Sequence, residues 1–127
     1  MNIRVEYELP YVTAFLNYRG QPLTLKNVLL DTGSAGTLFA TDAMLAMGLE
    51  FEANDVVRRI QGVGGAEFVF TKQIDHLSVG DLEVTNFEIE VGAMAYGFPI
   101  EGIIGFDFLR KVGACLNLKQ LEVNECP

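Results

Sequence analysis

A chain of 127 residues, half of them hydrophobic, can bury one core of ordinary domain size and is too apolar to stay disordered. Nine Lys and Arg against 17 Asp and Glu leave a formal charge of −8, the wrong sign for gripping phosphate backbones or anionic membrane surfaces, so neither nucleic acid nor membrane is an expected partner. No apolar run approaches the roughly 20 residues that span a bilayer. Charged residues interrupt the stretch from Met1 to Tyr11, unlike the apolar heart of a signal peptide, so a cytoplasmic single domain over residues 1–127 is expected.

Ile3, Val5, Tyr7 and Leu9 alternate with polar neighbours, which predicts a first strand with one buried face, closed by Pro10. Residues 11–18 read as a second strand, Arg19-Gly20-Gln21-Pro22 as a turn, and residues 23–30 as a third strand that delivers Asp31. A short apolar run at 38–40 follows. Thr41 suits the cap of a helix with Asp42 in its first turn, residues 43–47 are mostly helix formers, and Gly48 stops them. Residues 51–55 form a connection. Residues 56–61 and 66–71 then flank Gly62-Val63-Gly64-Gly65, a hairpin with three glycines at its tip.

Two more strands, 74–79 and 82–91, meet at a Gly80-Asp81 turn. A loop over 92–99 leads to Gly102-Ile103-Ile104-Gly105. Residues 106–111 read as a short helix with Arg110 and Lys111 near its negative end. Residues 112–118 and 121–123 read as a closing hairpin around Lys119-Gln120. About ten short strands and one or two short helices place the chain in the mostly β class. The order strand, turn, short helix occurs twice, through Asp31 and through Gly105.

Two cysteines make no disulfide framework, so Cys115 and Cys126 are expected as free thiols, Cys115 as a small core residue. The lone His76 has no partner pattern for a metal or a nucleophile and is expected to be structural; neither metal nor cofactor is expected.

The chemistry concentrates at Val28-Leu29-Leu30-Asp31-Thr32-Gly33-Ser34, an apolar strand running into a carboxylate at the mouth of a tight turn. Asp accepts hydrogen bonds from the backbone N–H groups just ahead of it, which fixes the direction of the carboxylate, as acid–base hydrolysis requires. The same tetrapeptide also suits an ordinary turn. The glycine-rich hairpin tip is likewise either a plain tight hairpin or a cover that bends over a ligand.

Taken together and in order, Asp31-Thr32-Gly33-Ser34 after a strand, Gly62-Val63-Gly64-Gly65 at a hairpin tip and Ile103-Ile104-Gly105 before a short helix resemble the retropepsin-like aspartic proteases, nearest to their bacterial single-domain members. The resemblance implies a closed β-barrel of the acid protease fold. It makes Asp31 the catalytic aspartate, Thr32 a residue reaching across a dimer axis, and Gly33 and Ser34 supports of the carboxylate or the substrate backbone. Ala35 and Gly62 to Gly65 would meet substrate, the latter as a flap. Ile103 and Ile104 would form an apolar shelf with side-chain pockets. The chain departs from the viral enzymes at Ala35 and Gly36, where those carry acidic residues, and at Phe106, where they carry an arginine.

Aspartic hydrolysis takes two carboxylates sharing one proton, and this chain has one Asp-Thr-Gly element. The resemblance therefore implies a homodimer acting on a peptide or protein. A catalytically inactive dimerisation or peptide-binding module of the same fold stands as the alternative. A sugar-kinase or actin-like phosphate turn would need a much longer chain, and no P-loop or dinucleotide glycine pattern is present.

Overall fold

The computed structural model describes residues 1–62, 65–94 and 99–127, and the side chains among these except at 61–67. The elements are β1 (Arg4–Glu6), β2 (Leu9–Tyr18), β3 (Gln21–Leu30), β4 (Leu38–Ala40), α1 (Thr41–Leu45), β5 (Val57–Gly62), β6 (Gly65–Val79), β7 (Leu82–Gly92), β8 (Gly102–Ile104), α2 (Phe106–Lys111), β9 (Ala114–Asn117) and β10 (Glu122–Glu125). The chain is mostly β. Eight strands pair in the order β1-β2-β3-β8-β4-β7-β6-β5, and β2 also pairs with β6, so the pairings from β2 through β3, β8, β4, β7 and β6 return to β2.

Period-two alternation puts one face of this ring in the main core. Val12, Ala14, Leu16, Val28, Leu30, Phe39, Ile74, Ile89, Val91 and Ile104 point into it, and towards the end of β6 the other parity is buried as well, through Leu77 and Val79. α2 adds Phe108 to this core, where its ring meets Phe87 edge-on at 6.0 Å between centroids.

Several expectations change in contact with the structure. The N-terminal strand is short because Tyr7 and Glu8 take left-handed φ values of 52° and 59° and turn the chain back on itself. Pro10 does not end a strand. It lies inside β2, opposite Val5, where the ladder to β3 has not begun and a missing N–H costs little. Thr41 is the first residue of α1, not its cap; Ala40 holds that place without a side-chain hydrogen bond. The strands expected at 66–71 and 74–79 are one strand, β6, which pairs with β7 over most of its length.

Cys115 and Cys126 are disulfide-bonded, not free, and Cys115 is exposed. The β9–β10 register sets Cys115 against Asn124 and leaves Cys126 two residues beyond, with the Cα atoms 4.9 Å apart, a separation that a disulfide spans without distortion. His76 is partly exposed and faces Glu83 at 3.2 Å.

The feature that positions the site is the placement of β8. β3 and β4 are consecutive in the chain yet do not pair. β8 lies between them, parallel to β3 (Leu29 opposite Ile103) and antiparallel to β4 (Leu38 opposite Ile103). The segment 31–37 must therefore cross the end of β8, and Asp31 begins that crossing.

Candidate active site

Asp31 owes its direction to strand alternation. Val28 and Leu30 are buried in the main core, so Leu29 and Asp31 belong to the opposite face. The Asp31 N–H donates to the Ile104 carbonyl at 3.0 Å, prolonging the β3–β8 ladder by one bond. The Gly33 N–H then donates to Asp31 Oδ1 at 2.9 Å, and the Ser34 N–H to the Asp31 carbonyl at 3.2 Å, closing the turn. Ser34 Oγ donates to the Gly36 carbonyl at 2.8 Å, which spends the hydroxyl on the turn's own backbone. Thr32, Gly33 and Ala35 are exposed.

The turn is held from behind. Thr37 is fully buried; its Oγ1 accepts from the Gly105 N–H at 3.1 Å and donates to Asp107 Oδ1 at 2.7 Å. The Thr37 N–H donates to the other Asp107 oxygen at 3.3 Å, and the Phe106 N–H to the Ser34 carbonyl at 2.7 Å. Gly105 is required here by close approach, because a Cβ on it would overlap the Gly36 and Ser34 carbonyls. Gly105 occupies the N-cap position of α2, and Asp107 in the first turn ties α2 to the Asp31 turn through Thr37 while accepting from the Phe108 N–H at 2.8 Å.

The shared registers line up Tyr11, Leu29, Ile103, Leu38, Glu90 and Thr71 as successive cross-strand partners over six strands, on the face that Asp31 belongs to. At one end Tyr11, Ile103 and Ile100 form a second apolar cluster with Leu9, Leu29 and Met94 against it. Of the two isoleucines expected as a shelf, Ile103 lies in this cluster and Ile104 in the main core, because neighbours on a strand face opposite ways. Of the expected flap residues, Gly62 and Gly65 pair at the end of the β5–β6 hairpin, and Val63 and Gly64 lie outside the described residues.

Tyr11, Thr37, Leu38, Glu90 and the tethering role of Asp107 were not visible from the sequence. Only the alternation around Glu90, between Ile89 and Val91, hinted that this carboxylate leaves the core face.

A family model for aspartyl proteases matches residues 15–108, a span that holds the Asp31 turn, the glycine hairpin and the Ile103-Ile104-Gly105 strand end. The chain belongs to the aspartyl protease family. A comparison with curated proteins finds no significant match. The family match stops at Phe108, so the disulfide-bonded β9–β10 hairpin of this aspartyl protease chain is outside the matched span.

The stem of the β5–β6 hairpin in this family member has its own anchor. The Lys72 side chain on β6 is buried, pairs with Glu52 and with Asp55 (2.8 Å), and faces the Tyr18 ring at 6.0 Å. Arg19 adds a two-pronged contact to Glu52 at 2.8 and 3.3 Å. Burial alone would lower the Lys72 pKa, but its bonds to Asp55 and Glu52 outweigh this and raise it. The bonds from Arg19 and then Lys72 hold Glu52 down at about 2. The segment 51–55 is thus a charged clasp across the base of the hairpin.

Proposed function

We propose that this chain is an aspartic endopeptidase that works as a homodimer, with one Asp31 carboxylate from each subunit meeting at a two-fold axis. The observation that carries the reading is Asp31 itself: a carboxylate at the end of a strand, fixed through Oδ1 by the Gly33 N–H, in a turn whose anchors lie behind it and whose front is open. Membership of the aspartyl protease family supports it.

The mechanism follows from one carboxylate per chain. Two carboxylates about 3 Å apart cannot both ionise, so the pair holds a single proton. The ionised Asp31 takes a proton from a water molecule as its oxygen attacks the scissile carbonyl, and the protonated partner gives its proton to the carbonyl oxygen. The resulting gem-diol collapses as the C–N bond breaks. One hydroxyl proton returns to the pair, and the departing nitrogen receives a proton from it. No acyl-enzyme forms.

The substrate would be an extended peptide lying along the face shared by Leu29, Ile103 and Leu38, with the hairpin that carries Gly62, Val63, Gly64 and Gly65 folding over it. Thr32 would bond across the axis, and Ala35 would border the peptide. The ring of pairings is read as a closed barrel and the 127 residues as one domain. The disulfide bears on the compartment: it favours an oxidising location over the cytoplasm expected from the N-terminal pattern.

The test is Asp31→Asn. It should abolish cleavage of a peptide library between pH 3 and 7 while leaving the secondary structure and the oligomeric state unchanged. A purified Asp31→Asn protein that still cuts would end the proposal, and a confirmed wild-type dimer that cuts nothing would favour the inactive peptide-binding module.

A further inference from the structure

Glu90 is the one charged member of the cross-strand row that runs from Tyr11 to Thr71. Its strand neighbours Ile89 and Val91 are buried in the main core, which turns Glu90 to the face of Asp31, Leu38 and Ile103. The Glu90 N–H donates to the Thr37 carbonyl at 2.9 Å, so its backbone is fastened to the far end of the Asp31 turn. Its carboxyl group lies against Gly36: a Cβ built there would overlap it. The lack of a side chain at Gly36 is what makes room for this carboxylate.

The Glu90 side chain is partly buried, and among the described residues no donor hydrogen-bonds it and no cation pairs with it. Arg58, a cation whose charge reaches it, pairs with Glu88 at 3.2 Å instead. Asp107, whose own oxygens are occupied by Thr37 and Phe108, and Glu88 add negative charge nearby. Among the described residues the buried side-chain polar atoms without a partner are Arg4 Nε and Tyr11 Oη, so the Glu90 carboxylate, unpaired within the chain, keeps contact with solvent and is open to an incoming cation. Burial raises the Glu90 carboxyl above its ordinary value, Arg58 draws it back, and Asp107 and Glu88 add to the rise.

We propose that Glu90 selects substrates with a lysine or arginine side chain close to the scissile bond, the incoming cation forming the ion pair that the folded chain leaves open. The proposal rests on the peptidase reading above. A two-fold dimer holds two copies of this carboxylate, one on each side of the axis, so the preference extends to both sides of the cleaved bond.

The experiment compares peptides that are identical except for lysine, norleucine or glutamate at the positions flanking the cleaved bond. Wild-type protein should show a kcat/KM ratio of lysine to norleucine of roughly tenfold or more, in keeping with one charge-assisted pair. Glu90→Gln should bring that ratio close to one, and Glu90→Lys should turn the preference toward glutamate. Should either variant fail to fold, the wild-type ratio is measured against pH: it should decline toward acid as Glu90 takes up a proton. A wild-type ratio near one, a ratio kept in Glu90→Gln, or a ratio indifferent to pH would overturn the proposal. If no peptide is cut, the hydrolase reading fails on its own. Titration of the wild-type protein with the same uncut peptides then decides this one: about tenfold tighter binding of the lysine peptide supports it, and equal binding refutes it.

Discussion

Thr37 carries more of the site than its size suggests. Its hydroxyl is at once the acceptor for the Gly105 N–H and the donor to Asp107, and no water reaches it. Thr37→Val keeps the volume and removes both bonds, stranding a buried N–H and weakening the hold on a carboxylate. The expected cost is about 1–3 kcal/mol of stability, measurable as a lower denaturant midpoint. Because the loss falls on the tether of the Asp31 turn, kcat should drop by more than KM rises; an unchanged kcat in a folded Thr37→Val protein would show that the turn holds its shape without the tether. The contrast with Asp31 explains what the sequence disclosed. Asp31 is legible because its chemistry is local: a strand, a turn and glycines within a few residues. The Thr37–Asp107 pair is separated by 70 residues and Glu90 reaches Gly36 from another strand, so neither leaves a local pattern to read.

Elements were legible where periodicity and glycine punctuation agreed. α2 falls on the residues expected, as does the β7 strand within one residue, because alternation and turn residues bound them. Misreadings arose where tertiary pairing decided: Pro10 sits within β2 because only β1 faces it, and the β9–β10 register, not cysteine number, brings Cys115 and Cys126 together. Cross-linking two cysteines 11 residues apart contributes about 3 kcal/mol in the chain-entropy account, which holds together a hairpin too short to be stable alone. The clasp at the base of β5–β6 makes a pH prediction. The folded carboxyl of Glu52 sits at about 2, below its ordinary value near 4.5, so the folded state binds fewer protons between these limits. Stability from this group is therefore complete above about pH 4.5 and is lost as pH falls toward 2. Thermal melts from pH 6 to 2 should show a steeper acid decline for wild type than for Glu52→Gln. Parallel curves would mean that Arg19 and Lys72 do not hold Glu52 in solution.

At the scale of the molecule, the proposed homodimer needs a surface that a second copy can use. Residues 1–3 and 121–124 are already bonded to one another. The N-terminal ammonium donates to Asn124 Oδ1 at 2.8 Å, the Ile3 N–H to the Leu121 carbonyl at 2.7 Å, and the Val123 N–H to the Met1 carbonyl at 2.9 Å. Segments engaged with each other in this way offer few open backbone groups to a partner. The front of the Asp31 turn is different, since Thr32, Gly33 and Ala35 are exposed there beside Phe106, an aromatic ring half open to solvent. Phe106 is fastened to the turn through the 2.7 Å bond from its N–H to Ser34. If two Asp31 carboxylates approach to about 3 Å, as the shared proton demands, Phe106 of each subunit falls within the contact. Burying the open half of each ring is worth about 1 kcal/mol per subunit, or roughly thirtyfold in dimer affinity for the pair, and a carboxylate in its place adds repulsion across the axis. Phe106→Asp should therefore raise the dimer dissociation constant by about a hundredfold in sedimentation runs over a concentration series. Its specific activity should fall on dilution at concentrations where wild type stays active, and recover when the protein is concentrated. A Phe106→Asp protein that dimerises as tightly as wild type would place the two-fold contact away from this ring, and with it the route by which the two half-sites meet.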